Sequence, residues 1–212
     1  MKLYGYYRSS AAYRVRIAIH LKGLNVEQAF VHLRRQEQSA VGYRTLNPAG
    51  LVPALEHDGQ LLTQSLAIIE YLDELQPAPP LLPANAADRA YVRALAFGIA
   101  CDIHPLNNLR VLNYLKEDFR LDGGQRDQWY AHWIEVGFTA LESVLAQDRR
   151  VGAFCCGDTP GLADICLVPQ LYNAERMHCD TSAYPTLLRI AANARALPAF
   201  RAAEPERQAD AE

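Results

Sequence analysis

Three short segments of this chain put anion-binding or peptide-binding groups at the junctions of predicted elements. Arg8-Ser9-Ser10 stands between an aromatic strand signal and the start of an apolar helix. A helix N-terminus presents unpaired N–H groups and a partial positive charge, so it stabilises an anion. A serine hydroxyl there caps the helix or donates to a thiolate or an oxyanion. Leu51-Val52-Pro53-Ala54 opens another strand. Proline at a strand start can be cis, exposing the N–H and C=O of the residue before it to an extended peptide ligand. Gln64-Ser65 opens an apolar helix directly after a strand, a second N-terminus fit for a carboxylate. A fourth segment, Gly157-Asp158-Thr159-Pro160-Gly161-Leu162-Ala163-Asp164, reads as a folding element. Asp164 sits where the carboxylate of a capping box returns to the N-cap backbone.

The elements that must position these groups follow from the pattern of apolar residues. Residues 3–7 are short and aromatic-rich, as a buried strand is. Ala11, Val15 and Ala18 recur at helical spacing over 11–21, and Gly23 ends that helix. Residues 26–33 read as a second strand and 36–46 as a weaker helix, stopped by Asn47-Pro48. Strands at 51–56 and 60–63 flank the hairpin signal Asp58-Gly59, and 65–75 is a strongly apolar helix. The order is βαβ-α-ββα, a mixed sheet with helices in about 80 residues. Four prolines within 76–83 mark a stiff linker. Everything beyond reads helical, at 88–116, 125–147, 160–178 and 184–203, with a polar, frayed end at 204–212. Two domains are expected, 1–83 and 84–212.

Composition narrows the function. With 21% charged residues and a formal net charge of −3, the chain lacks the basic excess of a dedicated nucleic-acid binder. No apolar run approaches the roughly 20 residues of a membrane span, and the N-terminal residues lack an apolar core of signal-peptide length. A cytoplasmic protein is expected. Five cysteines, with Cys155 and Cys156 adjacent, suit reduced thiols better than a disulfide framework. No Cys/His spacing resembles a zinc site, so no metal is expected. Lys2, Arg8, Arg14, Arg16 and Lys22 precede the first acid of the chain, a local excess that favours an anionic ligand. Lys22 itself reads as part of a solvated helix face. Trp129 and Trp133, four apart on a predicted helix, read as core or interface residues.

Taken in order, these segments resemble the cytosolic glutathione transferases. Tyr6-Tyr7-Arg8-Ser9-Ser10-Ala11-Ala12-Tyr13-Arg14-Val15-Arg16 is similar to the signature of the zeta class, which includes maleylacetoacetate isomerase and bacterial maleylpyruvate isomerase. Leu51-Val52-Pro53-Ala54-Leu55, Thr63-Gln64-Ser65-Leu66, Asp102-Ile103-His104-Pro105-Leu106-Asn107-Asn108-Leu109, Leu167-Val168-Pro169-Gln170 and Asn173-Ala174-Glu175-Arg176 extend the resemblance over most of the chain. It implies a thioredoxin-like N-terminal domain joined to an all-helical domain, an α/β plus all-α architecture, in a homodimer that uses glutathione. By the match, Ser9 and Ser10 face the glutathione sulfur, with Ala11 beside them. Val52, before a cis Pro53, pairs with the cysteinyl backbone. Gln64 and Ser65 hold the γ-glutamyl end, and Gln38 lies near the glycyl end. His104 and Asn108 match helical-domain positions of the same cleft. Arg8, Arg110 and Arg176 match positions suited to the acid groups of a substrate; arginine at 110 is shared with some maleylpyruvate isomerases.

The signature is not complete. The class often has cysteine where Ala11 stands and tryptophan where Tyr13 stands, so a thiol at 11 cannot be required here. Gly161 occupies the usual Ser or Thr cap position, at a cost of only a few tenths of a kcal/mol. The activity implied is cis–trans isomerisation of a maleyl diacid, maleylacetoacetate, to its fumaryl isomer. A thiolate adds to the double bond, charge moves to an enolate, rotation occurs about the resulting single bond, and the thiolate leaves. A free thiol with a pKa of ~8.5 is mostly protonated at neutral pH, and lowering it by two units takes about 2.7 kcal/mol. One hydroxyl and a helix terminus can supply that. The alternatives are maleylpyruvate as substrate, conjugation or dehalogenation of small α-halo acids, and a non-catalytic glutathione-transferase-like binding module.

Overall fold

In the computed structural model, which describes residues 1–212, β1 (Lys2–Gly5) occupies an inner position of a four-stranded sheet of order β2-β1-β3-β4. It pairs in parallel with β2 (Glu27–Phe30) and antiparallel with β3 (Ala54–His57), which turns into β4 (Gln60–Thr63). Asp58 and Gly59 both have positive φ, 48° and 73°, as a two-residue hairpin of this hand requires. Leu3 faces Leu55 across the ladder, and both are fully buried. The ladder of β3 begins at Ala54, three residues later than the pattern predicts. Pro53 has no N–H to give to it.

Helix α1 (Ser10–Leu21) packs beside α3 (Ser65–Leu75); Val15, Ile17 and Ala18 of the first and Ile68, Ile69 and Leu72 of the second are fully buried. The helix predicted over 36–46 is shorter. Gln36 adopts the left-handed conformation (φ 59°) between two single 3₁₀ turns, and only α2 (Val41–Leu46) is α-helical. Lys22 is not on a solvated face. It is buried, with its ammonium against the Asp73 carboxylate and the Pro79 carbonyl, so the proline-rich segment is tied back to α1.

The chain forms two units, Met1–Leu81 together with Ala196–Glu212, and Leu82–Arg195. The C-terminal stretch therefore does not belong with the helical region, as the expected 84–212 boundary had it. Helix α9 (Pro198–Ala202) lies against α1, where Phe200 and Ala203 are fully buried. Nor is 204–212 frayed: Pro205 is buried, and Gln208 Nε2 donates to the Ala202 and Glu204 carbonyls at 3.0 and 2.8 Å.

The second unit is helical: α4 (Ala86–Phe97), α5 (Leu109–Glu117), α6 (Gly123–Leu145), α7 (Leu162–Arg176) and α8 (Pro185–Arg195). Residues 88–116 do not form one helix. After α4 the backbone widens into a π-helical turn, Gly98–Ile103, where His104 N–H reaches the Ile99 carbonyl at 2.9 Å. His104 itself still holds helical angles (φ −56°, ψ −43°), and the chain leaves the helix in the turn over 104–107 that contains Pro105. Asn108 restarts the helix by capping α5, its Oδ1 accepting from Arg110 N–H at 3.1 Å. Gly137 of α6 lets the π turn approach, since a Cβ there would lie 2.3 Å from Ile103 Cδ1. Asp122 caps α6 in a reciprocal box with Gln125. Helix α7 is the core, buried continuously from Leu162 to Leu171. No helix is long and apolar enough to cross a membrane.

Candidate functional site

The register of the sheet gathers three of the sequence segments at one end. Tyr4 faces Ala54, and Ala54 faces Thr63. One step beyond these pairs lie the β1–α1 turn, the Val52–Pro53 step and Gln64-Ser65. Because β2 runs parallel to β1, the segment after it, with Gln38, leaves from the same end.

Ser9 is the N-cap of α1. Its Oγ accepts from Ala12 N–H at 3.2 Å, and its own N–H donates to the Tyr6 carbonyl at 2.9 Å. As an acceptor in the cap, the hydroxyl still has its proton to donate. Ser9 and Ala11 are half-buried, whereas Ser10 is only 4% exposed. No acid occupies the first turn of α1, so the helix adds no carboxylate of its own to oppose its terminal field. Arg8 is half-buried and places its guanidinium 5.0 Å from the centre of the Tyr7 ring. Burial pushes the Tyr6 phenol up to about 12, which keeps it protonated at neutral pH.

The turn is braced by Arg16, a residue of the signature segment to which the resemblance assigns no role. Arg16 is 3% exposed and donates to the Tyr6 carbonyl at 3.4 Å, the Tyr7 carbonyl at 3.0 Å and the Ala203 carbonyl at 3.1 Å. Arg14 is likewise buried and donates from Nη1 to Ser65 Oγ at 3.3 Å. The signature segment includes both arginines, and their spacing among the apolar residues of α1 is the signal that they point inward.

At the second edge, Leu51 is anchored and Val52 is left open. The Leu51 carbonyl accepts from Tyr43 Oη at 2.7 Å and Asn47 Nδ2 at 2.8 Å. The Val52–Pro53 bond is cis. The N–H and C=O of Val52 make no hydrogen bond within the chain, so they form a one-residue edge for an extended peptide. Gln64 holds φ 70° and ψ 115°, a region costly for a residue with a Cβ. It turns the chain from β4 into α3 so that the first-turn N–H groups, with no acid beside them, end at buried Ser65. Gln38 Oε1 is buried without a hydrogen-bond partner.

The other candidates belong to the helical unit. Asn108 lies 3.4 Å through Nδ2 from His104 Nε2, and Arg110 is exposed in the first turn of α5. Asn107 Nδ2 donates to the Tyr130 carbonyl at 3.1 Å, tying this segment to α6. Arg176 is exposed at the end of α7, close enough to the Tyr130 hydroxyl to oppose its upward shift; burial nonetheless carries that phenol to about 12. Trp129 and Trp133 pack edge to face at 5.7 Å, and Trp129 Nε1 donates to the Leu106 carbonyl at 2.9 Å.

The model of the glutathione S-transferase N-terminal domain matches residues 1–74, and that of the C-terminal domain matches 127–203. The chain is 54% identical to a probable maleylacetoacetate isomerase of Vibrio cholerae, over 99% of this chain and 97% of the relative. The chain belongs to the zeta class of the glutathione S-transferase family. Among solved zeta-class transferases it is similar to a holo maleyl pyruvate isomerase, with a TM-score of 0.98 and 46% identity over 100% of both chains. A maleylacetoacetate isomerase from Methylobacterium extorquens, solved with malonate and glutathione bound, gives a TM-score of 0.97 and 41% identity, again over 100% of both chains. The family places the open Val52 edge, the Ser9 cap and the α3 N-terminus in a glutathione-transferase domain.

Proposed function

We propose that this protein is a glutathione-dependent cis–trans isomerase that converts a maleyl diacid, maleylacetoacetate, to its fumaryl isomer in the breakdown of aromatic compounds. The observation that carries the reading is the set of open groups at one sheet end. An extended backbone edge at Val52, a carboxylate site at the α3 N-terminus and a hydroxyl donor at Ser9 match the peptide, carboxylate and thiol of glutathione in turn. The buried, unpartnered Gln38 Oε1 supplies a further acceptor at that end. The relatives are isomerases of this substrate class, and one was solved with both glutathione and a small diacid.

When bound, glutathione supplies a thiolate that adds reversibly to the maleyl double bond and so permits rotation. Ser9 holds that sulfur in its charged form by donating its Oγ–H, aided by the field of α1. Val52 and Ser65 fix the tripeptide, so the sulfur is presented to one face of the substrate. Arg8 stabilises the negative charge that develops on the substrate's conjugated carbonyl. We assign Arg176 and Arg110 to its carboxylates, and His104 and Asn108 as further binding residues, by their match to family positions. With alanine at 11, no protein thiol takes part from that position. We read the protein as a cytoplasmic homodimer, a setting that agrees with five free cysteines.

The test is glutathione-dependent loss of substrate absorbance with maleylacetoacetate and maleylpyruvate side by side, for the wild type and Arg110→Ala. Preferred turnover of maleylacetoacetate is the expected result. Preferred turnover of maleylpyruvate that collapses in the variant would move the protein to gentisate breakdown. Glutathione binding without turnover of either substrate would overturn the isomerase reading.

A further inference from the structure

We propose that Asp210 is a positioning residue for the turn that carries Arg8 and Ser9, so that the tail after α9 sets how far bound glutathione ionises. The inference rests on the glutathione reading above and adds to it a residue far from the motif. Four residues, Tyr6 to Ser9, make the turn, closed by Ser9 N–H on the Tyr6 carbonyl at 2.9 Å. Arg16 takes both of its early carbonyls, those of Tyr6 and Tyr7. The remaining polar group at its first corner is Tyr7 N–H, which donates to Asp210 Oδ2 at 2.9 Å across 203 residues of sequence. Both backbone polar groups of Tyr7 are thus held by side chains from elsewhere in the fold.

The tail is anchored on either side of Asp210. Before it, Arg16 holds the Ala203 carbonyl, Pro205 is buried, and Gln208 ties back to the end of α9. After it, Glu212 Oε1 is shared by His32 Nε2 at 2.8 Å and Arg35 Nη2 at 3.1 Å. Asp210 is therefore presented to the turn from a fixed strap rather than from a loose end. A hydrogen bond to a carboxylate is stronger than one to a neutral acceptor, so this contact limits movement of the turn more than a backbone bond would. Ser9 Oγ is committed as an acceptor to Ala12 N–H, and the direction of its remaining proton follows the placement of the turn. A displacement of about 1 Å there is enough to lose a catalytic alignment.

The sign of the effect separates positioning from charge. A carboxylate acting only through its field opposes a thiolate, so its removal would lower the thiol pKa. Loss of positioning raises it. The experiment is an ultraviolet titration of the thiolate of saturating glutathione on the full-length wild type, Asp210→Ala and Asp210→Asn. Amide hydrogen exchange at Tyr7 is followed in the ligand-free proteins. We expect Asp210→Ala to lower the thiolate fraction at neutral pH about tenfold, one unit of pKa. We expect kcat to fall with it, while the KM for glutathione changes less than about threefold. Tyr7 amide exchange should quicken about tenfold or more, and Asp210→Asn, a weaker acceptor, should fall between. If Asp210→Ala does not fold, the Asn variant alone carries the same readings. A folded variant with an unchanged or lowered thiol pKa would overturn the proposal. A wild type that shows no bound thiolate at all would instead overturn the glutathione reading on which it rests.

Discussion

Arg14 and Ser65 link the body of α1 to the N-terminus of α3. The Arg14 guanidinium, 1% exposed within α1, donates from Nη1 to Ser65 Oγ at 3.3 Å, at the first residue of α3. Having accepted that bond, the Ser65 hydroxyl still has its own proton to donate. Ser65→Ala should weaken glutathione binding about tenfold, the worth of one charge-assisted hydrogen bond. It should also cost about 1–3 kcal/mol of stability, because a buried guanidinium loses an acceptor. Isothermal calorimetry with glutathione and a urea melt check the two effects separately. Binding at wild-type affinity would remove Ser65 from the ligand.

Ser9 and Ser10 are adjacent in sequence, yet they stand in different surroundings. Ser9 caps α1 and is half-buried, while Ser10 is 4% exposed. Ser9 is therefore the donor we assign to the thiolate. Ser9→Ala should lower kcat by about 100-fold, within the range for losing one oriented donor to a developing charge, and should cost about 1 kcal/mol from the lost cap. Ser9→Gly should cost only a few tenths of a kcal/mol and lose as much activity. That pair separates capping from chemistry in a thermal melt and a steady-state assay. Ser10→Ala should leave the thiol pKa of bound glutathione near the wild-type value; a rise equal to that of Ser9→Ala would reverse the assignment.

Most of the site in the first unit was legible because its signals are local. The Asp58-Gly59 hairpin sets the register that brings Val52 and Ser65 together, and the serines mark the helix start. The Arg16 brace was not legible. Its partners, the Tyr6, Tyr7 and Ala203 carbonyls, are backbone atoms, which carry no residue type to read. The return of Ala196–Glu212 to the first unit was hidden for a related reason. Phe200 and Pro205 are too few apolar residues to distinguish a docked tail from a polar end, and Asp210 acts through one main-chain N–H. In the helical unit the Asp164 box was readable, whereas the Asn108 cap fell inside the single helix expected over 88–116. The π turn at Gly98–Ile103 was not readable, since it keeps the composition of a helix and changes only which carbonyl each N–H meets.

Asp148 and Arg150 form the clearest pH-dependent pair. Arg150 donates from Nε and Nη2 to the Asp148 carboxylate and lies 3.6 Å from the centre of the Tyr91 ring. The Arg150 side chain, and then its backbone N–H, hold the Asp148 carboxyl down at about 2, below its usual 3.8. A depressed carboxylate contributes stability that is fully present above the unfolded value, near pH 4. That contribution is lost as the pH falls through about 2. A carboxyl-carbon NMR titration should place the Asp148 midpoint near the lower figure, and Arg150→Ala should return it toward the ordinary one. An unshifted midpoint in the wild type would show that the pair does not persist in solution.

Asp164 should be a costly polar side chain to remove from the helical unit. It is 2% exposed, and its two oxygens accept from Cys155 N–H at 2.9 Å and Gly161 N–H at 2.8 Å. Burial pushes its carboxyl up, and these N–H groups pull it back. Because Gly161 has no side chain to cap α7, the carboxylate alone closes that end of the core helix. It also fixes the loop at Cys155, which is itself buried. Asp164→Ala strands both donors, and each buried unsatisfied group costs about 1–3 kcal/mol. A total near 3 kcal/mol is expected, a drop of about 10 °C in Tm for a chain of this size. Asp164→Asn keeps one acceptor oxygen but turns an amide N–H₂ toward the other donor, so it should recover no more than about half of the loss. Calorimetric melts of the two variants would test this, and equal melting temperatures for Asp164→Ala and the wild type would show that α7 does not depend on its box.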